Sequence, residues 1–172
     1  MKWDLYNKEF IKTGKVINEE EATFIPDGLY HLTINAWIIN DKNELLLIKK
    51  SMNYNLRYPG SWTTFVGNVE SEKSPEFAVF DILQEKFGID SKNCVYTYAG
   101  NDFRDPYHYI YSTFIILKNV DLQTLLLDEL KYSKAKWANL EEIQNMISNG
   151  EIEFPLIERI EKYIIPFIKS KK

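Results

Sequence analysis

Five charged side chains between Val66 and Ile89 could carry chemistry: Glu70, Glu72, Lys73, Glu85 and Lys86. Carboxylates are hard oxygen ligands of the kind that Mg²⁺ and Mn²⁺ take. A divalent cation held there could neutralise charge on a phosphoryl group and position an attacking water. Glu70, Glu72 and Glu85 are the carboxylates that could face such a cation. Lys73 and Lys86 have two readings. They pair with the neighbouring glutamates as surface ions, or they bind an anionic phosphate directly where a metal would otherwise sit.

The remaining reactive residue types are few. His31 lies in a predicted strand and reads as a structural or hydrogen-bonding residue. His108 lies in NDFRDPYHY with Asp102, Arg104 and Asp105 nearby, a solvated hairpin loop or the border of a ligand site. Cys94 is the sole cysteine. It excludes an intrachain disulfide and reads as a small apolar residue rather than a nucleophile.

These residues need elements to position them. Gly67 follows a predicted strand, and a polar loop leads to Ser74, a good N-cap, with Pro75 in the first helical position and Glu76 in the first turn. The helix should end near Gly88, which suits a left-handed C-terminal position. At about 100° per residue, Phe77, Phe80, Leu83 and Phe87 form one apolar stripe, the expected core face. Ile82, Glu85 and Lys86 fall on the other side, with Ile82 left to pack against a loop or line a pocket.

Around this unit the chain reads as alternating strands and helices. Residues 3–6 and 15–17 are predicted strands with Thr13-Gly14 as the turn, and Glu19 to Glu21 are a solvated charge run. Pro26-Asp27-Gly28 is a turn. Residues 29–39 and 44–50 read as a hairpin about Asp41-Lys42-Asn43. Leu45 to Ile48 lack alternation, as in a strand covered on both faces. A loop at 53–58 and the Pro59-Gly60 turn lead to a short strand at 62–66. A strand pair follows at 94–99 and 107–117, then a strand from about 133 to Trp137. Asn139 and Glu142 make a capping box for a helix over 140–148, ended by Asn149-Gly150. A last helix over 155–168 carries Leu156, Ile160, Tyr163, Ile164 and Phe167 at helical spacing, with Pro166 able to kink it. Trp62 and Trp137, at strand ends, should be buried beside the sheet.

The stretch VGNVESEKSPEFAVFDILQEKFGI resembles the Nudix box, the signature of a superfamily that hydrolyses pyrophosphates linked to another group. The family pattern is a glycine, five residues, a glutamate, seven residues, Arg-Glu, an apolar residue, any residue, Glu-Glu, any residue, glycine, apolar. Gly67, Leu83, Glu85, Gly88 and Ile89 are in register with it. Lys73 stands at the first glutamate, Asp81-Ile82 at Arg-Glu, and Lys86 at the last glutamate. Three glutamates at i, i+3 and i+4 would share one helix face and hold Mg²⁺; here the triplet is Ile82, Glu85 and Lys86, so the resemblance implies Glu85 as the candidate catalytic and metal-binding residue, with Glu70 and Glu72 completing the ligand set if a metal site exists. Alignment on Trp137 places Lys131 where family members often carry a further acidic residue. WDLYNKEFIKTGK and the Pro59, Gly60, Trp62 pattern resemble the isopentenyl-diphosphate-isomerase-like branch. Those isomerases use a cysteine in the strand before the box, and residues 62–65 have none, which argues against isomerase activity.

The expectation is an α/β protein, a Nudix-type α/β/α sandwich with a mixed β-sheet. With 172 residues it reads as a single domain over 1–172, with an N-terminal hairpin at 1–28, the box at 67–89 and C-terminal helices at 140–169. The formal net charge of −4 argues against a general nucleic-acid binder, and no apolar run reaches membrane-spanning length. A cytoplasmic setting follows as the default. The resemblance implies a phosphorylated small molecule, nucleotide-linked or not, as the ligand. Three functions stay open: binding with weak or lost hydrolysis, a hydrolase with a rearranged Mg²⁺ or Mn²⁺ site, and a homodimeric interaction protein.

Overall fold

The computed structural model of the chain describes residues 1–53 and 57–171. Its centre is a mixed sheet that counts seven strands among the described residues. Strand β3 (His31–Ile39) runs through the middle and is buried along its whole length. It pairs in parallel with β8 (Tyr109–Leu117) over nine registered positions, His31 with Tyr109 through Ile39 with Leu117. Beyond β8 lies β7 (Val95–Arg104), antiparallel. On the other side β3 splits its partners. Thr33 to Ala36 pair with β6 (Phe65–Asn68), while only Ile39 pairs with Leu45 of β4 (Leu45–Lys50). Strand β4 spends its length on β9 (Tyr132–Ala138) and on the short β5 (Trp62–Thr63). The predicted 29–39/44–50 hairpin thus exists as a connection but hardly as a ladder.

Two apolar layers follow from strand alternation. Leu32, Ile34, Ala36 and Ile38 of β3 with Leu46 and Ile48 of β4 form one core, covered by α1 (Pro75–Phe87). Trp37, Ile39, Leu45 and Leu47 form the other. It is covered by α2 (Leu140–Ser148), α3 (Phe154–Arg159) and α4 (Ile165–Ser170). Leu45 to Ile48 are all fully buried, so the missing alternation in that strand did mean cover on both faces. Each such side chain contributes about 1.5–3 kcal/mol of burial.

The helix ends form as their residues dictate. Ser74 Oγ accepts from the Phe77 N–H, and Gly88 closes α1 at φ 67°. Asn139 and Glu142 make the reciprocal capping box on α2.

Several local expectations need correction. The first hairpin, β1 (Lys2–Tyr6) with β2 (Lys12–Asn18), turns at residues 7–11, where Asn7 Oδ1 accepts the N–H groups of Glu9 and Ile11. Thr13-Gly14 instead sits in a bulge of β2, with Gly14 at φ 82° and the Thr13 hydroxyl donating to the Leu5 carbonyl. Glu19 to Glu21 open a 3₁₀ helix (Glu19–Phe24), held by the Glu21 carboxylate accepting from the Asn18 N–H. The strand expected at 62–66 breaks at Thr64, whose hydroxyl is drawn to the Ala36 carbonyl. The hairpin loop expected between the strands at 94–99 and 107–117 is strand as far as Arg104, then a 3₁₀ turn at Asp105–Tyr107. The last helix widens to a π-turn at Ile160–Ile164, just before Pro166. Proline has no N–H for a regular helical bond, and the wider turn absorbs the mismatch. The loop expected at 53–58 lies partly outside the described residues. Trp62 is buried, whereas Trp137 is only partly so.

The stripe assigned to α1 also changes. Phe77 is 74% exposed, and Ile82, placed by the helical wheel away from the core, is 8% exposed. The buried set is Ala78, Val79, Ile82, Leu83 and Phe87. The large aromatics misled the wheel: the buried face centres on Val79, Ile82 and Leu83, and at about 100° per residue Phe77 falls on the opposite side of the helix.

Candidate functional site

Strand β6 and helix α1 meet at Gly67. A Cβ built there would lie 2.5 Å from Ile82 Cδ1 and 2.9 Å from its Cγ2, so the glycine's bare backbone is what lets Ile82 pack against the strand. One turn further on, Lys86 leaves this contact and reaches a cleft of about 670 Å³.

The cleft is walled by β5 and β6, by the ends of β4 and β7, and by α3. At the α1 end stand Gly67, Asn68, Lys86, Phe87, Lys131 and Tyr132, with Glu19 and Asp128 at the rim; elsewhere Lys50, Arg57, Arg104, Tyr107, Tyr111, Glu153 and Arg159 line it. Six cations therefore face three carboxylates, an excess of positive charge in a protein of net charge −4. Burial and then the Lys131 ammonium hold the Lys86 pKa below the ordinary lysine value. Two ammonium groups that repel each other in a concave wall favour an anion between them.

The carboxylates proposed from sequence do not gather here. Glu70 pairs with Lys73 at 3.1 Å on the exposed surface. The Glu72 N–H donates to Asp4 Oδ2, and Glu72 is exposed with φ 71°. Glu85 is exposed on α1. None of the three lines the cleft, and among the described residues no three His, Cys, Asp or Glu side chains form a group able to hold a metal ion. Of the box positions Lys86 reaches the cleft, with Gly67 in its wall, whereas Lys73 stays with Glu70. Leu83, Gly88 and Ile89 serve as scaffold: Leu83 and Ile89 are buried, and the Ile89 N–H donates to the Leu83 carbonyl.

Neither histidine reaches the cleft lining. His31 is fully buried, stacked on Trp3 with ring centroids 4.1 Å apart and edge-on to Tyr109 at 4.3 Å. Its ring nitrogens have no hydrogen-bond partner among the described residues. Burial pushes its pKa down to about 3; the role is aromatic packing, not hydrogen bonding. His108 adopts φ 55°, with Nδ1 3.1 Å from the Leu29 carbonyl oxygen. Cys94 is half-buried against the α1-side core.

Sequence reasoning missed the α3 side of the cleft. Lys50 Nζ donates to Glu153 Oε1 at 2.8 Å and the Thr63 hydroxyl to Glu153 Oε2 at 2.7 Å, which ties the start of α3 to the sheet. The Arg57 guanidinium stacks 3.9 Å from the Tyr107 ring centroid, and that of Arg159 4.1 Å from the Tyr111 ring centroid. One signal was available: Arg159 is a charge on the apolar stripe marked by Leu156, Ile160 and Tyr163.

A box glycine and helix on one face of a mixed sheet, with helices on the other, define a Nudix-type α/β/α sandwich. A family model described as the NUDIX domain matches residues 29–160. The chain belongs to the Nudix family. It is 27% identical over 153 residues to an uncharacterized Nudix hydrolase of Listeria monocytogenes, covering 87% of this chain and 86% of the relative. It is 30% identical over 87 residues to the isopentenyl-diphosphate Delta-isomerase of Shigella flexneri, about half of each chain (50% and 46%). Among solved structures, a Deinococcus radiodurans protein superposes with TM-score 0.74 at 16% identity, covering 95% of this chain and 99% of that one. The NUDIX domain of Shewanella oneidensis NrtR, complexed with ADP-ribose, superposes with TM-score 0.58 at 18% identity, covering 85% and 96%. No helix among the described residues is long and apolar enough to cross a membrane.

Proposed function

We propose that the cleft binds a phosphorylated, nucleotide-linked small molecule through its cationic walls, and that metal-dependent hydrolysis at the box is weak or lost. The observation that carries this reading is the pair Ile82 and Lys86. An apolar side chain packed on Gly67 and an ammonium in the cleft wall occupy two of the three box positions that would bear carboxylates. Mg²⁺ requires oxygen donors in near-octahedral array. One exposed Glu85, with Glu70 engaged by Lys73, does not make such a set. Lys86 and Lys131 supply fixed positive charge at the same end, which suits a phosphoryl group without a metal. The complex of a structural neighbour with ADP-ribose makes that compound the first ligand to try. With Cys94 as the sole cysteine, nothing in the fold calls on an oxidising compartment, which supports a cytoplasmic setting.

Isothermal titration tests the reading directly. ADP-ribose should bind in EDTA, and Lys86→Gln should weaken it. Mg²⁺ alone should show no saturable site. A stoichiometric Mg²⁺ site together with Mg²⁺-dependent hydrolysis of ADP-ribose would instead establish a working hydrolase, with Glu85, Glu70 and Glu72 as the ligands to mutate.

A further inference from the structure

Among the described residues, Arg159 is the one lysine, arginine, aspartate or glutamate that is buried. It is 3% exposed, and its guanidinium makes no hydrogen bond or ion pair with any described residue; Nε is sealed from solvent with no partner. The carboxylates whose charge reaches it, Asp102 and Glu153, are already engaged. Asp102 accepts from Lys162 Nζ at 2.7 Å and from the Tyr163 hydroxyl at 2.9 Å. Glu153 accepts from Lys50 and Thr63. What Arg159 does have is the Tyr111 ring beneath it and the cleft in front of it. Burial depresses its pKa, and Arg104 adds like-charge repulsion. A guanidinium stays charged at any pH a protein meets, so its burial without a counter-ion is a standing cost.

We propose that Arg159, with Arg104 beside it in the cleft lining, forms an oxyanion subsite on the α3 wall, separate from the Lys86 end, that takes a phosphoryl or carboxylate group of the bound molecule. The subsite rests on the reading of the cleft as a ligand site, and adds that the ligand carries a second anionic group. Stacking on Tyr111 fixes the plane of the guanidinium, so its terminal nitrogens present a rigid fork to a planar or tetrahedral oxyanion. The tie of Glu153 to Lys50 and Thr63 holds the start of α3, and the tie of Lys162 and Tyr163 to Asp102 holds the chain just after it. Arg159 is therefore positioned from both sides before any ligand arrives.

The test is ¹⁵N–¹H NMR of the arginine Nε–Hε groups in the wild-type protein, assigned through bonds. Separate titrations use inorganic phosphate, acetate and, as an ionic-strength control, sodium chloride. The Arg159 signal should move saturably with phosphate or with acetate, and not with chloride. A response to phosphate alone assigns a phosphoryl group, and a response to acetate alone assigns a carboxylate. Arg159→Lys keeps the charge but not the fork, and should weaken that anion's binding by about tenfold. A silent Arg159 signal, or one that chloride moves equally, overturns the subsite and leaves Arg159 as a packing residue on Tyr111. The parallel titration of ADP-ribose against Lys86→Gln separates the two readings. Lys86-dependent binding with a silent Arg159 sinks only the subsite, whereas an Arg159 response with no effect of Lys86 sinks only the assignment of the Lys86 end.

Discussion

Ile82 fills the space in front of Gly67: the nearest approach of its Cδ1 to a Cβ built on that glycine is 2.5 Å, and of its Cγ2 2.9 Å. Because the contact is with a branched side chain packed in the core, it has little room to give. Gly67→Ala should therefore cost about 1–3 kcal/mol of stability as overpacking. In an Ile82→Ala background the same change should cost far less, because both offending atoms are gone. Urea denaturation of the four proteins in the cycle measures the coupling. Simple additivity would show that the two residues are not in the contact described.

The same contact changes what restoring the box carboxylates would do. With Ile82 in the core, Ile82→Glu puts a carboxylate among apolar side chains and should cost roughly 3 kcal/mol in metal-free buffer. Lys86→Glu should stay within about 1 kcal/mol of the wild type, since the side chain opens onto the cleft rather than into the core and the change replaces repulsion from Lys131 with attraction. Thermal unfolding of the two single variants decides the point. Equal and small effects would return Ile82 to the solvent side of the helix.

Much of this architecture was legible because it is local. Ser74, Gly88, Asn139 and Glu142 act through hydrogen bonds a few residues away and Pro75 through its fixed φ in the first turn, and the chain order alone specifies those. The register of Leu83 and Gly88 to Gly67 was likewise a matter of spacing. The errors were tertiary. Phe77 looked like core because it is large and spaced with Phe80, yet the face that meets the sheet centres on Val79, Ile82 and Leu83, on the other side of the helix. Ile82 looked spare because the wheel was oriented by those aromatics. Arg159 could not be recognised as a cleft residue, since what brings it there is the packing of α3 (Phe154–Arg159) against a sheet whose strand β8 starts far back in the chain, at Tyr109, and that is invisible to any local pattern.

His31 should make the protein acid-sensitive well above the carboxylate range. Its folded pKa is pushed down to about 3 by burial, while the unfolded chain should titrate near the usual histidine value of about 6.5. The depressed pKa means that the unfolded state takes up the proton first. The stability contribution is thus complete above about pH 6.5 and declines as pH falls towards 3, by at most about 1.4 kcal/mol per pH unit. Stability measured from pH 7 to pH 5 should fall more steeply in the wild type than in His31→Phe, which keeps a ring between Trp3 and Tyr109. An imidazole that titrates near pH 6 in the native state, read by NMR, would remove the basis for this expectation.

Lys86 should reveal itself through protons taken up when an anion binds. Burial and the Lys131 ammonium already hold its pKa below the ordinary 10.5, so part of the population loses its charge at a lower pH than a surface lysine would. A bound diphosphate favours the charged form and raises that pKa again. Between the two values, binding must draw a proton from solution, and affinity must fall as pH rises. ADP-ribose suits the experiment because its diphosphate stays fully ionised across the alkaline range. Titration calorimetry near pH 9, repeated in buffers of different ionisation enthalpy, reports the uptake as a difference in observed heat. Wild type should show net uptake and a loss of affinity from pH 7 to pH 9.5, and Lys86→Gln should show less of both. Equal uptake in the two proteins would place the responding ammonium elsewhere in the cleft and would remove Lys86 from the binding wall.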